Sequence, residues 1–434
     1  MKPRGSTLAL AGLWAALGLA AAFWPVLVPA WSWGGAVAGL VLLVDAVLAV
    51  RRAPLRVERV HAHSLALGAW TVVRVRVFNE GARDETVLVF DGYPERTEFE
   101  GLPCAVLAPA GKGVEFEYRL RGLRRGEGKF RECALLRRSR LGLWDVRERV
   151  NCESSVRIYP NFTAVAGFTL HALESRIQLM GIRRRQRRGE GLEFRQMRDY
   201  QAGDALRQID WKATSRRQRT ISREYQEERD QQVLFLVDCS RRMRAVDGDL
   251  SHFDHCLNAL LLVAYVALRQ GDSVSLATFG GVDRRLPPVK GRQSMSALLN
   301  AVYDLETTLE PPDYLEAAAR LKAFQRRRAL VIVITNQRDE DEDELGPALE
   351  LLRRRHLVVL ASLREMRVEA LLGRDVDSFE AALSRASALD YVQARQRALE
   401  RHRGRGVIPL DVAPADLQVA LAEQYLEIKR SGRL

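Results

Sequence analysis

Val233-Leu-Phe-Leu-Val-Asp-Cys-Ser-Arg-Arg242 is the stretch on which the fold turns. Val233 to Val237 are apolar without interruption, and Asp238 follows at once. A strand with one face in water alternates, so a continuous run bounded by polar residues reads as a strand covered on both faces. Further strands read at 273–279, 330–335, 357–362 and 407–412, with an edge strand near 283–286. Helices are predicted over 252–268, 295–305, 314–324, 345–354, 378–403 and 416–429. Buried strands separated by helices make a mostly parallel, doubly wound α/β sheet over 232–434, whose ligands are expected at the carboxyl ends of the strands.

The first such end is Asp238-Cys-Ser-Arg-Arg242. An Asp followed two residues on by a hydroxyl resembles the start of a metal-ion-dependent adhesion site in von Willebrand factor A domains. In those domains carboxylate and hydroxyl oxygens meet a hard divalent cation. The resemblance implies a degenerate site at Asp238, Ser240, Asp313 and Asn336, for Mg²⁺ or another divalent cation, and no other cofactor. It departs from the pattern at Arg242, where a second hydroxyl is expected, and at Asn336, where an Asp is expected. The alternative is that Arg242 pairs with Asp238 and the fold persists without metal.

At the amino terminus, residues 6–24 and 33–50 are apolar stretches, each close to the length needed to cross a bilayer. Residues 25–31 hold two prolines and break the helix, and Trp24, Trp31 and Trp33 gather there, as amphipathic rings do at a membrane interface. Lys2 and Arg4 precede the first stretch, and Arg51, Arg52 and Arg56 follow the second. That charge pattern predicts a two-helix transmembrane hairpin over 1–52 with both ends cytoplasmic. A cleaved signal peptide is the rival, since Ala20-Ala21-Ala22 imitates a cleavage site, but the second apolar stretch argues against it. Asp45 lies within reach of the cytoplasmic headgroups and is expected to snorkel to them.

Residues 53–160 alternate. Val73, Val75 and Val77 share one face and Arg74 and Arg76 the other, and the theme returns at 86–90, 113–120, 129–136 and 155–158. Short strands separated by Gly, Asn and Asp predict an antiparallel β-sandwich of immunoglobulin-like architecture. The connector, 161–231, carries the basic run Arg183-Arg-Arg-Gln-Arg-Arg188, read as a solvated or lipid-facing patch. Its second half holds Arg198, Tyr200, Gly203, Asp204, Arg207, Asp210, Trp211 and Arg216 within one short segment. Apolar rings among charges imply a docked segment with paired ions, either a clasp between domains or a partner-binding face. Asp204 is expected to cap a short helix from Ala205, with Leu206, Ile209 and Lys212 along one side.

The run from Phe194 to Arg216, the segment Ile221-Ser-Arg-Glu-Tyr225, Gly142-Leu-Trp144 and the final Gln424-Tyr-Leu-Glu-Ile-Lys-Arg-Ser-Gly432 resemble the bacterial family catalogued as domain of unknown function 58. The resemblance implies a multi-pass protein of the bacterial inner membrane with its soluble domains in the cytoplasm. It also implies a partnership with a MoxR-type AAA+ ATPase in assembling or maturing other proteins.

The remaining signals are largely negative. The net charge of +12 suits an anionic membrane surface as well as nucleic acid, and no nucleic-acid-binding motif accompanies it. Five scattered cysteines imply neither a zinc site nor a disulfide framework, and point to a reducing compartment. No phosphate-binding Gly-x-x-x-x-Gly-Lys loop is present. The acidic run Asp339-Glu-Asp-Glu-Asp-Glu344 reads as a solvated loop. These signs favour a non-catalytic, membrane-anchored adaptor over the alternative, a metal-assisted hydrolase using Asp238, for which none of the seven histidines offers an evident base.

Overall fold

The computed structural model describes residues 1–161, 193–201, 206, 209–226, 231–248 and 250–433. They fall into two compact units, Met1–Tyr159 and Pro160–Leu434. The basic run from Arg183 to Arg188 lies outside the described residues, as do Gly203, Asp204 and Arg207.

The first unit begins with β1 (Lys2–Pro3), α1 (Gly5–Phe23), a 3-10 turn over Pro25–Leu27 and α2 (Val28–Val50). Both helices are apolar all round and leave Leu13, Phe23, Leu40 and Leu43 exposed, and both are long and apolar enough to cross a membrane. The second helix starts earlier than its composition suggests. Pro29 falls in its first turn, where an absent N–H costs nothing. The Trp14 and Trp31 rings stack at 5.4 Å between the two helices.

The strands that follow are β2 (Leu55–Val60), β3 (Ser64–Ala66), β4 (Trp70–Asn79), β5 (Glu85–Phe90), β6 (Thr97–Glu100), β7 (Cys104–Ala108) and β8 (Gly113–Gly122). After them come β9 (Gly126–Phe130), β10 (Cys133–Arg138), β11 (Trp144–Val150) and β12 (Ser154–Tyr159). They form β-sandwich-like sheets in the orders β1-β11-β10-β5-β7, β2-β4-β8-β6 and β3-β12-β9. Val73, Val75 and Val77 are buried, while Arg74 and Arg76 pair across the outer face with Glu117 at 2.8 Å and Glu115 at 2.6 Å. One expected strand is two: 129–136 breaks at Arg131 and Glu132, and its halves, β9 and β10, join different sheets. Alternation gives which face a residue takes, but not where a strand changes sheets.

Asp45 corrects another expectation. It is fully buried, and its Oδ1 accepts the Leu141 backbone N–H at 3.1 Å in the β10–β11 turn. Beside it the Trp144 indole donates to the Leu42 carbonyl at 3.1 Å, and Ser6 Oγ donates to the Gly142 carbonyl at 2.8 Å. The carboxylate therefore fastens the base of the helical hairpin to a β-turn instead of reaching for headgroups.

The second unit holds β13 (Glu193–Asp199), α3 (Trp211–Arg217), β14 (Ile221–Gln226) and β15 (Gln232–Asp238), then a two-stranded ladder of β16 (Val246–Asp247) and β17 (Leu250–Ser251). Next come α4 (His252–Arg269), β18 (Ser273–Phe279), β19 (Arg285–Lys290), α5 (Met295–Val302), α6 (Tyr314–Phe324) and β20 (Leu330–Thr335). The chain ends with α7 (Glu342–Arg353), β21 (Leu357–Leu363), α8 (Met366–Leu372), α9 (Phe379–Gly404), β22 (Ile408–Val412) and α10 (Leu417–Ser431). The large sheet runs β19-β18-β15-β20-β21-β22 and is parallel except at β19. Val233, Phe235 and Val237 pack with α4 and α10 on one face, and Leu234 and Leu236 with α6 and α7 on the other. The apolar run is thus explained by two-sided burial. Helix α4 opens on a capping box, Ser251 with Asp254, that satisfies two of its free amides.

Asp45→Ala should lower the stability of the detergent-solubilised protein by about 0.5–1.5 kcal/mol, because it removes the hydrogen-bond partner of the partly buried Leu141 amide. The thermal midpoint reads this out, and an unchanged midpoint would show that the clamp contributes nothing.

Candidate functional site

Strand order reverses between β15 and β20, and the carboxyl ends there are the natural crevice of an open parallel sheet. Asp238 ends β15 with no exposed surface. Its Oδ1 accepts the Ser240 backbone N–H at 2.7 Å, and its Oδ2 accepts the Thr335 hydroxyl at 2.6 Å. Tyr314, from α6, meets that hydroxyl at 3.1 Å. Burial pushes the Asp238 carboxyl above the usual range, against these hydrogen bonds, which pull it down. Gly280 makes the close approach possible. With φ +74°, it lies where a Cβ would come within 2.9 Å of Ser240 Cβ and 3.0 Å of Asp238 Oδ1.

Arg242 does not pair with Asp238. Its guanidinium binds Asp341 and reaches Glu340 at 3.2 Å. The acidic run is accordingly no solvated loop. Asp341 is buried and caps a tight turn by accepting the Arg338 N–H at 3.0 Å, and Glu342, Asp343 and Glu344 form the first turn of α7, where the helix dipole favours negative charge.

A second polar knot lies two strands away. Arg395, 4% exposed, extends from α9 and donates to Asp411 and Ser362 at 2.7 and 2.6 Å. It also donates to the Leu363 carbonyl at 2.7 Å and to the Gln337 carbonyl. One side chain therefore ties together the ends of β20, β21 and β22. His402, one further stretch along α9, lies 3.2 Å from the Gln337 amide, and burial lowers its pKa.

The four candidate cation ligands are not brought together as a donor set. Asp313 is exposed, caps α6 through the Glu316 N–H at 2.8 Å, and lines a separate groove with Asp283, Arg285 and Arg320. Asn336 donates to Glu365 at 3.2 Å and accepts from Arg395 at 3.4 Å. Ser240 Oγ accepts the Arg242 N–H at 3.4 Å. Among the described residues no group of three or more His, Cys, Asp or Glu side chains is disposed to hold a metal. One carboxylate with both oxygens engaged is a poor match for a hard cation, which takes six or more oxygens.

Around the connector motif, Asp210 caps α3 by accepting the Ala213 N–H at 3.0 Å. Ile209 forms a β-bridge with Ser222 and α3 begins at Trp211, while Ala205, where the expected helix would start, lies outside the described residues. Tyr200 joins the β13–β14 ladder through its N–H to the Thr220 carbonyl at 2.8 Å, and Arg198 pairs in register with Ser222. Trp211 is 70% exposed, on the same short helix as Lys212, Arg216 and Arg217.

Residues 196–382 match the family model described as "Protein of unknown function DUF58". Over those residues, less than half of its length, the chain is similar to that family. Two similar proteins are described as uncharacterized. Protein YeaD of Bacillus subtilis (strain 168) is 22% identical over 185 residues, 42% of this chain and 44% of that protein. Protein Rv1480 of Mycobacterium tuberculosis (strain ATCC 25618 / H37Rv) is 26% identical over 196 residues, 44% of this chain and 58% of that protein. The chain thus spans about half the length of the curated relatives it matches. Among solved structures, the CARDB domain of the PF1109 protein from Pyrococcus furiosus covers 24% of this chain and 92% of its own, at 14% identity and a TM-score of 0.18, a likeness too slight to carry any argument.

Sequence reasoning overlooked Thr335, Tyr314, Asp341, Arg395 and Asp411. A signal existed for Arg395, which occupies the buried stripe of α9 with Ala388, Ala398, Leu399 and His402.

If Asp238 is a structural lock, Asp238→Asn should keep stability within about 1 kcal/mol, since the amide still accepts from Ser240 and now donates to Thr335. Asp238→Ala should cost about 1–3 kcal/mol, and calorimetric titration with Mg²⁺ should not distinguish wild type from either variant. His402 titrates below its unfolded value near 6.5, so its contribution is complete above about pH 6.5 and is lost as pH falls through the folded pKa. The stability lost by wild type between pH 7.5 and 5 should therefore shrink in His402→Gln, as followed by thermal unfolding.

Proposed function

We propose that this protein is a membrane-anchored, non-catalytic adaptor that works with a MoxR-type AAA+ ATPase in assembling or maturing other proteins. In this reading α1 and α2 form a multi-pass anchor in the bacterial inner membrane, with both termini and the soluble domains in the cytoplasm. The parallel-sheet unit is read as von Willebrand factor A-like, with its cation site given over to internal hydrogen bonds.

The observation that carries the reading is the contrast between the crevice and the connector motif. At the strand ends, Asp238, Thr335, Asn336 and Arg395 engage one another, the backbone and the neighbouring side chains of Tyr314, Ser362, Glu365 and Asp411. That arrangement holds a shape and leaves no carboxylate poised to activate water. On α3, by contrast, Trp211 stands exposed beside Lys212, Arg216 and Arg217. Trp and Arg are the residues that most often anchor protein interfaces, and the cationic rim suits an acidic partner surface. The hydrolase reading gains no support from the histidines near Asp238, since His252 is buried and held by Asp247 at 2.7 Å.

Affinity purification of the full chain from native membranes should recover an AAA+ ATPase. Trp211→Ala should reduce that recovery at least tenfold, the effect of a hot-spot residue worth about 2 kcal/mol, whereas Asp238→Asn should leave it unchanged. Recovery of no ATPase by the wild type, or equal recovery by Trp211→Ala, would count against this assignment.

A further inference from the structure

Arg59, on β2, is the hub of a buried polar cluster inside the sandwich-like unit. Its side chain is almost fully enclosed and pairs with Asp91, donating from Nε at 2.8 Å. It also donates to the Arg131 carbonyl at 2.9 Å, the Cys152 carbonyl at 2.5 Å and Ser154 Oγ at 3.2 Å, and it lies 4.6 Å from the centre of the Phe130 ring. Tyr118 completes the cluster by donating to Asp91 at 2.7 Å.

The same guanidinium places Nη2 3.1 Å from Cys152 Sγ. Cys152 is half-buried in the short link between β11 and β12, and Cys133 is fully buried at the start of β10. Cys133 stands opposite Val150 in the β10–β11 ladder, two residues before Cys152, with its Sγ 3.7 Å from the Phe90 carbonyl while Cys152 Sγ lies 3.9 Å from the Arg131 carbonyl, and the two thiols are near enough to shift each other's titration. The neighbouring Cys133 thiol, resisted by burial, and then the Arg59 charge, opposed by Asp91, bring the Cys152 thiol down to about 7. Cys133 moves the other way, chiefly through its Cys152 neighbour and burial, and stays a thiol. A half-accessible sulfur facing a guanidinium is the setting of a reactive cysteine, not of an inert core residue. Cys239 and Cys256 lack it, being buried in the apolar core of the other unit.

We propose that Cys152 is a peroxide-reactive thiol and Cys133 its resolving partner, so that this unit carries a reversible Cys133–Cys152 disulfide. The Cys152 thiolate attacks one oxygen of hydrogen peroxide, the O–O bond breaks, and after protonation a sulfenic acid and one water remain. The Cys133 sulfur then attacks the sulfenic sulfur, the S–O bond breaks, and the departing hydroxide takes the Cys133 proton as a second water. Two thiols thus supply the two electrons that reduce one peroxide, and an external dithiol returns them. Forming the disulfide removes the thiolate that Arg59 faces, which ties the redox state to the cluster joining β2, Asp91 and the β9–β10 corner.

The test uses the full chain in detergent, reduced, freed of reductant, treated with hydrogen peroxide, and unfolded before alkylation so that buried thiols are counted. Wild type should lose two of its five alkylatable thiols together and the mass of two hydrogens, with Cys133 and Cys152 linked in the peptide map and both restored by dithiothreitol. In Cys133→Ser, Cys152 should be trapped by dimedone at least tenfold faster than Cys104, and in Cys152→Ser the Cys133 thiol should stay free. Wild type with both thiols still alkylatable, or a disulfide joining any other pair, overturns the proposal, and the wild-type map decides this even if a variant fails to fold.

Discussion

Strand β15 is covered by helices on both faces, so the carboxylate that ends it has no bulk water to solvate it. Every polar group at that edge of the sheet meets the same constraint: it must find a protein partner or cost several kcal/mol. The solution is a chain of short hydrogen bonds from Tyr314 to Thr335 to Asp238 to the Ser240 amide, with Gly280 leaving room beside them. Arg395 solves the same problem for the next three strands by spreading one guanidinium over Asp411, Ser362 and two carbonyls. Most of the polar groups at this edge are met in this way, while Gln337 Oε1 stays buried without a hydrogen-bond partner.

The two units share a design in which one arginine organises several strand ends or turns. Arg59 does so inside the first unit with Asp91, and Arg395 does so in the second with Asp411. A planar guanidinium with five donors can satisfy several carbonyls and a carboxylate at once, which a lysine cannot. Such knots fix geometry more than they add stability, since the desolvation cost of the pair offsets much of its attraction. In the adaptor role proposed above, such fixed geometry would hold surfaces like the one around Trp211 in place for a partner. The Arg59 knot differs in containing a thiol, and there alone among the knots described the chemistry is left open to a small oxidant.

Much of the architecture was legible in the sequence because burial on two faces, one face or none leaves different periodicities. The uninterrupted apolar runs gave the buried strands, the alternation at 71–78 gave the half-buried one, and all-round apolar helices gave the hairpin. Helix α6 matches the expected 314–324, although Asp313 before it, expected as a cation ligand, proves to be its cap. The errors fall where a residue has two plausible partners. Arg242 could reach Asp238 or Asp341, Asp45 could meet headgroups or the Leu141 amide, and the acidic run could face water or Arg242. A strand that changes sheets at Arg131 keeps its alternation and so conceals the break.

The sequence by itself determined the element types, the apolar amino-terminal helices, the two kinds of sheet and the residues of the DUF58 motif. These follow from local propensity and period, which need only neighbours in the chain. Tertiary structure alone decided which charge meets which, because ion pairs form between residues nearly a hundred positions apart, as Arg242 with Asp341 does. It decided that Asp238 is enclosed, that Asp313 caps a helix, and that Trp211 remains exposed. Partner choice among buried polar groups is a matter of distance and desolvation, and neither is written in one dimension.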